Sequence, residues 1–191
     1  MFSGITQNTS TVRSSEAHGG AVTIRIHTPR GWKLSPGQSV LVDGVCSTIM
    51  KRTAAFFEVQ YVPETLSKTT VGSFALGTRV NLERSLTLNE YVDGHLVAGH
   101  VDARGRVTGA KKGIVSVMVP TSLMRFVAKK GSIALNGVAL TVVSRSSDSF
   151  SVAIIPYTAA HTNLGSLKIA DEVNVEIDLI ARYLDALGKK R

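Results

Sequence analysis

The feature that most constrains the fold is an internal repeat. Residues 39–83 align with residues 132–176 at a constant offset of 93 and without a gap. About fifteen of the roughly 45 aligned pairs are identical. Two unrelated strand-rich segments would not keep this level of identity in one ungapped register. The starts of the two copies, from Gly4 and from Gly99, match more weakly and at a slightly different offset. The chain of 191 residues is therefore expected to form two similar units of about ninety residues each.

Each copy of the repeat has the pattern of a β-protein. The segments 56–62 and 150–155 are rich in the β-branched and aromatic residues that favour strands. The dipeptides Asp43-Gly44 and Asn136-Gly137 are strong hairpin signals, because these residue types tolerate a positive φ. Short strands separated by frequent turns predict an all-β fold of two tandem barrels, each with about six or seven strands.

The C-terminal segment 178–188 predicts an amphipathic α-helix, which Asp178 can cap and Gly188 can end. Its apolar stripe consists of Leu179, Ile180, Tyr183, Leu184 and Leu187. The stripe can pack against its own barrel or against other subunits, and both alternatives stay open at this point. Shorter helical turns are expected at 65–70 and 158–163.

Composition excludes several classes of function. The net charge is +8, from 22 basic and 14 acidic residues, but the basic residues are scattered and not interleaved with aromatic ones. This pattern argues against a surface for single-stranded nucleic acid and fits the attraction of an anionic small molecule equally well. No apolar run approaches the roughly 18–20 residues that span a bilayer, and the first residues lack a signal-peptide pattern. We expect a cytoplasmic protein that binds neither nucleic acid nor membranes.

The single cysteine and two closely spaced histidines are the candidate reactive groups. Cys46 cannot form an intramolecular disulfide, and a lone cysteine is most often a small buried hydrophobe. His95 and His100 are five residues apart, a spacing that points side chains in different directions on a strand or a helix. We therefore predict no metal site. Each histidine has a structural interpretation, although an imidazole can also act as an acid or a base near neutral pH.

Ordered motifs along the chain resemble those of riboflavin synthases. Met1–Ile5 resembles their Met-Phe-Thr-Gly-Ile start, and residues 94–102 resemble their Gly-Gly-His-x-x-x-Gly-His-Val-Asp stretch. The further matching segments are 44–48, 63–66, 130–133, 137–141 and 155–158. Each motif is weak alone, but the ordered set extends from Met1 to about Leu187 and is specific.

The resemblance implies an architecture and a reaction. It implies two six-stranded Greek-key barrels, at 1–95 and 96–177, and a C-terminal helix with a basic tail at 178–191 that organises a homotrimer. The enzyme would be a transferase of riboflavin biosynthesis without metal or other cofactor, and lumazine synthase is a candidate partner. Two molecules of 6,7-dimethyl-8-ribityllumazine would exchange a four-carbon unit, giving riboflavin and 5-amino-6-ribitylaminouracil. The two molecules would meet between the first barrel of one subunit and the second barrel of a neighbour.

The resemblance also assigns residues. Cys46, His100 and Ser39 match catalytic candidates, and the Cys46 thiol can either add to an electrophilic ring carbon or orient a nucleophile. Lys130 matches a lysine that can stabilise charge on the ring, and Asp102 is a weaker candidate. The predicted substrate contacts are Gly4, Ile5, Thr6, Cys46, Ser47, Thr48, Gln60, Tyr61, Val62, Pro63, Glu64, Thr65, Gly99, His100, Val101, Lys130, Ala139, Leu140, Thr141, Ile155, Pro156, Tyr157, Thr158, Ala159 and Ala160.

Three positions depart from the family pattern within the predicted contacts. Ser47 stands where leucine is usual, Ala139 where serine is common, and Tyr157 where glutamate or histidine is frequent. Because the copies differ at Cys46 over Ala139 and at Glu64 over Tyr157, we predict that the first copy is the reactive half and that the second holds the partner molecule. The alternative is a non-catalytic lumazine- or flavin-binding protein of the same superfamily, but the presence of Cys46, His95 and His100 favours catalysis.

Overall fold

Both copies of the repeat close into six-stranded antiparallel barrels in the computed structural model, which describes residues 1–188. The predicted basic tail at 189–191 lies outside the described residues. The strand order around the first barrel is β1-β2-β5-β4-β3-β6, and the second barrel repeats it as β7-β8-β11-β10-β9-β12. The predicted all-β fold of two tandem barrels with a C-terminal helix is confirmed.

The bounds of the elements follow the repeat. The strands of the first barrel are β1 (Asn8–His18), β2 (Ala21–His27), β3 (Ser39–Val42), β4 (Val45–Arg52), β5 (Phe56–Tyr61) and β6 (Arg79–Arg84). Those of the second are β7 (Ala103–Lys111), β8 (Ile114–Met118), β9 (Ser132–Leu135), β10 (Val138–Arg145), β11 (Ser149–Ala153) and β12 (Glu172–Ile177). The helices are α1 (Pro63–Lys68), α2 (Pro156–His161) and α3 (Leu179–Gly188), with 3₁₀ turns at Thr70–Ser73, Thr121–Phe126 and Asn163–Ser166.

Alternation of apolar side chains places the core inside each barrel. Along β5, Phe57, Val59 and Tyr61 are buried, whereas the intervening Glu58 and Gln60 point outward. The same period-two pattern in the other strands fills the interior with Val, Ile, Leu and Phe. Burial of this apolar set is what closes each sheet on itself.

The two predicted hairpins have the geometry that their residues favour. Asp43 and Gly44 have φ values of 44° and 80°, and Asn136 and Gly137 have 46° and 77°. Two consecutive positive φ angles are characteristic of the type I′ turn, which matches the twist of the flanking strands. The turns pack against each other, since a Cβ added to Gly44 would lie 2.6 Å from the nitrogen of Gly137. The repeat hairpins thus form the centre of the contact between the barrels.

The helices begin where proline and aspartate favour it. α1 and α2 start at Pro63 and Pro156, two residues before the predicted starts, because proline suits the first turn of a helix. The Ile180 N–H donates to Asp178 Oδ1 at 2.9 Å, so Asp178 caps α3 as predicted. Along the described part of the chain, no helix is long and apolar enough to cross a membrane.

The apolar stripe of α3 is not buried against the barrels. The side chains of Ile180, Tyr183, Leu184 and Leu187 are 62–65% exposed. On its polar side, the helix is held by the ion pairs Arg182–Asp102 and Arg125–Asp185, both at 3.0 Å. Of the two alternatives for the stripe, packing against its own barrel is therefore not observed.

Candidate active site

The start of each copy of the repeat crosses from its own barrel to the other one. Phe2 and Val97 form an antiparallel bridge, with N–H···O distances of 2.8 Å and 3.0 Å. Phe2 and Val97 are both fully buried. We call residues 2–4 and 97–99 the exchanged segments, because each continues from this bridge onto the opposite barrel.

Each exchanged segment reaches a strand of the other barrel through a glycine. The Cys46 N–H donates to the Gly99 carbonyl oxygen at 2.8 Å, and the Ala139 N–H donates to the Gly4 carbonyl oxygen at the same distance. Both glycines have positive φ, 80° and 76°. A Cβ on either would lie 2.6 Å from the Cβ of Cys46 or Ala139. Only glycine fits these two positions without displacing the strand beneath.

Buried glutamates fix the exchanged segments. Glu83 accepts the Ser3 N–H at 2.7 Å and the Gly4 N–H at 3.1 Å. Glu176, its repeat equivalent, accepts two N–H groups of the second exchanged segment at 2.7 Å and 2.9 Å. Burial raises the pKa of both carboxyls above the usual range, although the N–H groups oppose the rise. The two glutamates supply acceptors to backbone groups that no strand partner satisfies.

A cleft of about 270 Å³ opens where the second exchanged segment meets β4 and α1, and we call it the first site. It is lined by Val45, Cys46, Glu64, Thr65, Lys68, Thr69, Gly99, His100 and Val101. Six of these residues are predicted substrate contacts, whereas Val45, Lys68 and Thr69 are not. Lys68 lies one helical turn after Glu64, and this spacing is the signal that would have identified it.

Polar and reactive groups dominate the first site. The Lys68 Nζ donates to Glu64 Oε1 at 2.9 Å, and this ammonium lowers the pKa of the Glu64 carboxyl. The Cys46 side chain is half-buried at the base of the cleft, and the His100 side chain is exposed. A thiol, an imidazole and an ion pair therefore face one cavity that is built from both halves of the chain.

The repeat defines an equivalent surface on the second barrel, which we call the second site. Offsets of 93 on the barrel and 95 on the exchanged segment relate each lining residue of the first site to one here. The equivalents are Val138, Ala139, Tyr157, Thr158, His161, Thr162, Gly4, Ile5 and Thr6. Ala139 replaces Cys46, and Ile5 replaces His100. The second site thus lacks the thiol and the histidine that its counterpart carries at these positions.

The chain matches known proteins over nearly its whole length. The profile of the lumazine binding domain matches residues 3–85 and again residues 98–178. The riboflavin synthase of Chlamydia muridarum is 36% identical over 182 residues, which cover 95% of this chain and 92% of that protein. The chain belongs to the riboflavin synthase family. The riboflavin synthase of Mycobacterium bovis is 35% identical over 196 residues, covering 98% of each chain.

Solved structures show the same fold at lower identity. The structure of LumP complexed with riboflavin superposes with a TM-score of 0.86 at 21% identity, covering 93% of this chain and 99% of LumP. LumP complexed with 6,7-dimethyl-8-(1'-D-ribityl) lumazine gives a TM-score of 0.83 at the same identity. The predicted family is thus confirmed by sequence, and the tandem-barrel fold by structure.

One departure from the riboflavin synthase pattern has a structural explanation inside the barrel. Ser47 points inward between two outward residues of β4, and its Oγ lies 2.8 Å from the Tyr61 hydroxyl. Both side chains are buried and point into the barrel rather than into the first site, and the predicted substrate contacts of these two residues stay predictions. In the second copy, the equivalent pair is Leu140 and Ile154. A hydrogen-bonded pair in one barrel core therefore replaces an apolar pair in the other, and burial raises the pKa of Tyr61.

The segment that follows His100 is tied to the C-terminal helix. Asp102 accepts the Ile177 N–H at 2.9 Å and an Arg182 N–H at 3.0 Å. Burial raises the pKa of the Asp102 carboxyl, although both donors oppose the rise. Arg182 belongs to α3, so the helix that carries the exposed apolar stripe also positions one edge of the first site.

His95 and His100 lie in irregular backbone rather than in a strand or a helix. Their separation of five residues therefore does not set the relative direction of the two side chains as it would in a strand or a helix. Nε2 of His95 is buried without a hydrogen-bond partner among the described residues, and burial lowers its pKa. Within residues 1–188, no group of three or more His, Cys, Asp or Glu side chains is arranged to hold a metal ion.

Several predicted contacts lie outside the lining of the first site. Ser39 pairs with Thr48 across β3 and β4 and lines a separate cleft of about 160 Å³. Lys130 lies in the turn before β9 with a φ of 70°, at the position of Gly37 in the first copy. Exposed or half-buried side chains on the same elements make up the remainder: Gln60, Val62, Pro63, Leu140, Thr141, Ile155, Pro156, Ala159 and Ala160.

Proposed function

We propose that the chain is a riboflavin synthase that converts two molecules of 6,7-dimethyl-8-ribityllumazine into riboflavin and 5-amino-6-ribitylaminouracil. The two products together contain all the atoms of the two substrate molecules, so the four-carbon transfer needs no external oxidant or reductant. The observation that carries the proposal is the first site, where Cys46 and His100 share one cleft. The relatives that align over the whole chain and are named riboflavin synthase support it.

The reaction requires loss of a proton from the C7 methyl group of one lumazine, and the ring delocalises the resulting carbanion. One positioned base is sufficient for this step. His100 is our candidate, because an imidazole accepts a proton near neutral pH and this side chain is open to the first site. The thiol of Cys46, within the same lining, would orient or attack the electron-poor ring.

The two sites suggest a division of work between the barrels. The first site carries the thiol, the imidazole and the Glu64–Lys68 ion pair, whereas the second site has Ala139 and Ile5 at the positions of Cys46 and His100. We assign proton transfer to the first site and retention of the partner molecule to the second. Lys130 stays a predicted contact of that partner.

The exposed stripe of α3 supports a homotrimer. Four large apolar side chains on one helix face form a patch that a subunit interface would bury. In such an assembly, the first site of one subunit would face the second site of a neighbour. Association with lumazine synthase follows from the family resemblance and a cytoplasmic location from the sequence pattern, and both stay predictions.

Turnover tests the proposed reaction directly. Purified protein is incubated with the lumazine, and riboflavin is followed by its fluorescence together with the uracil product by chromatography. We expect both products in equal amounts. Tight binding of lumazine without either product would contradict the proposal. It would favour the alternative of a non-catalytic binder, since LumP has the same fold and its structure contains the bound lumazine.

Light scattering tests the assembly. Leu184→Glu places a charge in the apolar stripe and should lower the molar mass from that of a trimer. Ala186→Glu, at an exposed position of the same helix that points away from Leu184, is the matched control and should keep the mass. An unchanged mass for Leu184→Glu would exclude the stripe as the interface.

A further inference from the structure

The equivalent helices α1 and α2 carry different side-chain pairs at the same two positions. In α1, Glu64 and Lys68 form an ion pair across one helical turn. In α2, the equivalents are Tyr157 and His161, whose rings stack with centroids 4.1 Å apart and planes inclined by 21°. Both α1 residues line the first site, so the aromatic pair lies at the same place in the second site.

We propose that the Tyr157–His161 stack is the ring-binding platform of the second site and sets its affinity for the bound heterocycle. This inference rests on the proposed function, since it takes a ribityllumazine or flavin ring as the ligand. Tyr157 is the residue that touches the ligand, and His161 is a positioning residue that fixes the tyrosine ring.

The geometry leaves one aromatic face available. His161 covers one side of the Tyr157 ring, and the tyrosine remains 70% exposed. A flat, electron-poor heterocycle packs well against such a face, because offset stacking aligns unlike parts of the two ring charge distributions.

A hydrogen bond holds the stack in place. His161 Nδ1 lies 2.8 Å from the carbonyl oxygen of Tyr157. A carbonyl oxygen can only accept, so Nδ1 carries the proton in this contact. The imidazole is therefore fixed at both its ring face and its edge, and it supports the tyrosine ring on the face that it covers.

The remaining differences between the sites agree with this interpretation. Where the first site has His100, the second has Ile5, whose side chain is 44% exposed. At this position an apolar side chain thus replaces an imidazole that is open to the cleft. An apolar and aromatic surface retains a planar ring without reacting with it.

The alternative is that the stack only stabilises α2, as the ion pair does in α1. The double variant Tyr157→Glu/His161→Lys separates the two, because it rebuilds in α2 the pair that α1 carries. Tyr157→Phe is the matched control that keeps the stack. Riboflavin is the probe, and two-site binding is measured by calorimetry and by quenching of flavin fluorescence.

We expect the double variant to weaken one of two riboflavin sites about fivefold or more, with the other site unchanged. Tyr157→Phe should retain both affinities. Equal affinities in the wild type and a folded double variant would overturn the inference. Tyr157→Leu alters only an exposed side chain and should show the same loss, so the test stands even if the double variant does not fold. Turnover is measured separately, so failure of the proposed reaction and failure of the platform give different results.

Discussion

The first and second sites have the same backbone and different side chains. In both, a strand N–H donates to a glycine carbonyl of the exchanged segment at 2.8 Å, and a buried glutamate holds that segment. The side chains that face the cleft are nevertheless different at Cys46 and Ala139 and at His100 and Ile5. The frame depends mainly on backbone hydrogen bonds, which tolerate changes in the side chains above it.

This separation explains how one duplicated unit can serve two tasks. Two copies of one substrate need two similar frames, because each frame must accept the same ring and ribityl chain. Transfer between the two molecules requires that the two sites differ, since only one of the bound molecules must lose a proton. Substitutions at equivalent positions of the two sites test whether the reactive side chains are confined to the first site.

Substitutions of the reactive residues should have the largest effect. We expect His100→Ala to lower kcat on the order of 100-fold, the size usually found for loss of a general acid or base. Cys46→Ser should also lower kcat more than it weakens binding of a substrate analogue. Steady-state kinetics together with analogue titration gives both values.

Substitutions at the equivalent second-site positions are the comparison. Ile5→Ala and Ala139→Ser should change mainly KM, because under the proposed division of work these side chains would contact a molecule that is held rather than activated. If Ile5→Ala lowered kcat as strongly as His100→Ala does, the assignment of chemistry to the first site would be wrong.

Much of this comparison could be predicted from the sequence, because the repeat alone implies two equivalent barrels. The hairpins at Asp43 and Asn136 and the cap at Asp178 follow from local preferences of those residues. The inward direction of Ser47 could also have been expected, since it lies between two outward residues on one strand. A polar residue in an alternating strand is easily taken for an outward one.

The exchange of segments between barrels could not be predicted. It is visible in the sequence only as the weaker match from Gly4 and Gly99 at an offset of 95 instead of 93. Long-range contacts such as Gly99 with Cys46 leave no local pattern, because backbone atoms make them. The pairing of Arg182 with Asp102 is unpredicted for the same reason.

Substitution of the buried glutamates Glu83 and Glu176 should have an effect of intermediate size. Each should alter the site on the opposite barrel, because each holds the exchanged segment that lies over that site. Glu176→Gln leaves one of two buried N–H groups facing a donor instead of an acceptor, so we expect a loss of about 2 kcal/mol in the free energy of unfolding. Because Glu176 belongs to the second barrel but holds the segment above Cys46, it should also lower kcat. Glu83→Gln should lower the free energy of unfolding by a similar amount, but it should raise KM rather than lower kcat.

Chemical denaturation and kinetics on both variants measure these effects. Glu172→Gln, at an exposed position of the same strand as Glu176, is the control and should leave the unfolding midpoint close to that of the wild type. If Glu176→Gln changed KM and Glu83→Gln changed kcat, each segment would serve its own barrel rather than the opposite one.

Asp43 and its repeat equivalent Asn136 should show the smallest effect, through pH. Asp43 Oδ1 accepts the Asn81 N–H and an Asn163 N–H at 2.6 Å and 2.9 Å. Burial nevertheless raises the pKa of this carboxyl to about 7. A folded-state pKa above the unfolded value means that the folded protein binds the proton more tightly. The free energy of unfolding therefore falls as the pH rises from about 4 towards 7, and about 1 kcal/mol of this fall lies between about pH 6 and about pH 7.

Asp43→Asn should remove this decline, because an amide oxygen can still accept both hydrogen bonds and carries no charge to bury. The reciprocal variant Asn136→Asp should add a second decline in the same direction. It replaces an amide that donates to Asn163 Oδ1 at 3.2 Å with a carboxylate that meets the same oxygen. Other buried carboxyls also titrate, so the measurement is the difference between each variant and the wild type in urea unfolding across this pH range. Parallel curves for the wild type and Asp43→Asn would contradict the raised pKa, and with it the idea that one residue difference makes the otherwise matched hairpins unequal in their response to pH.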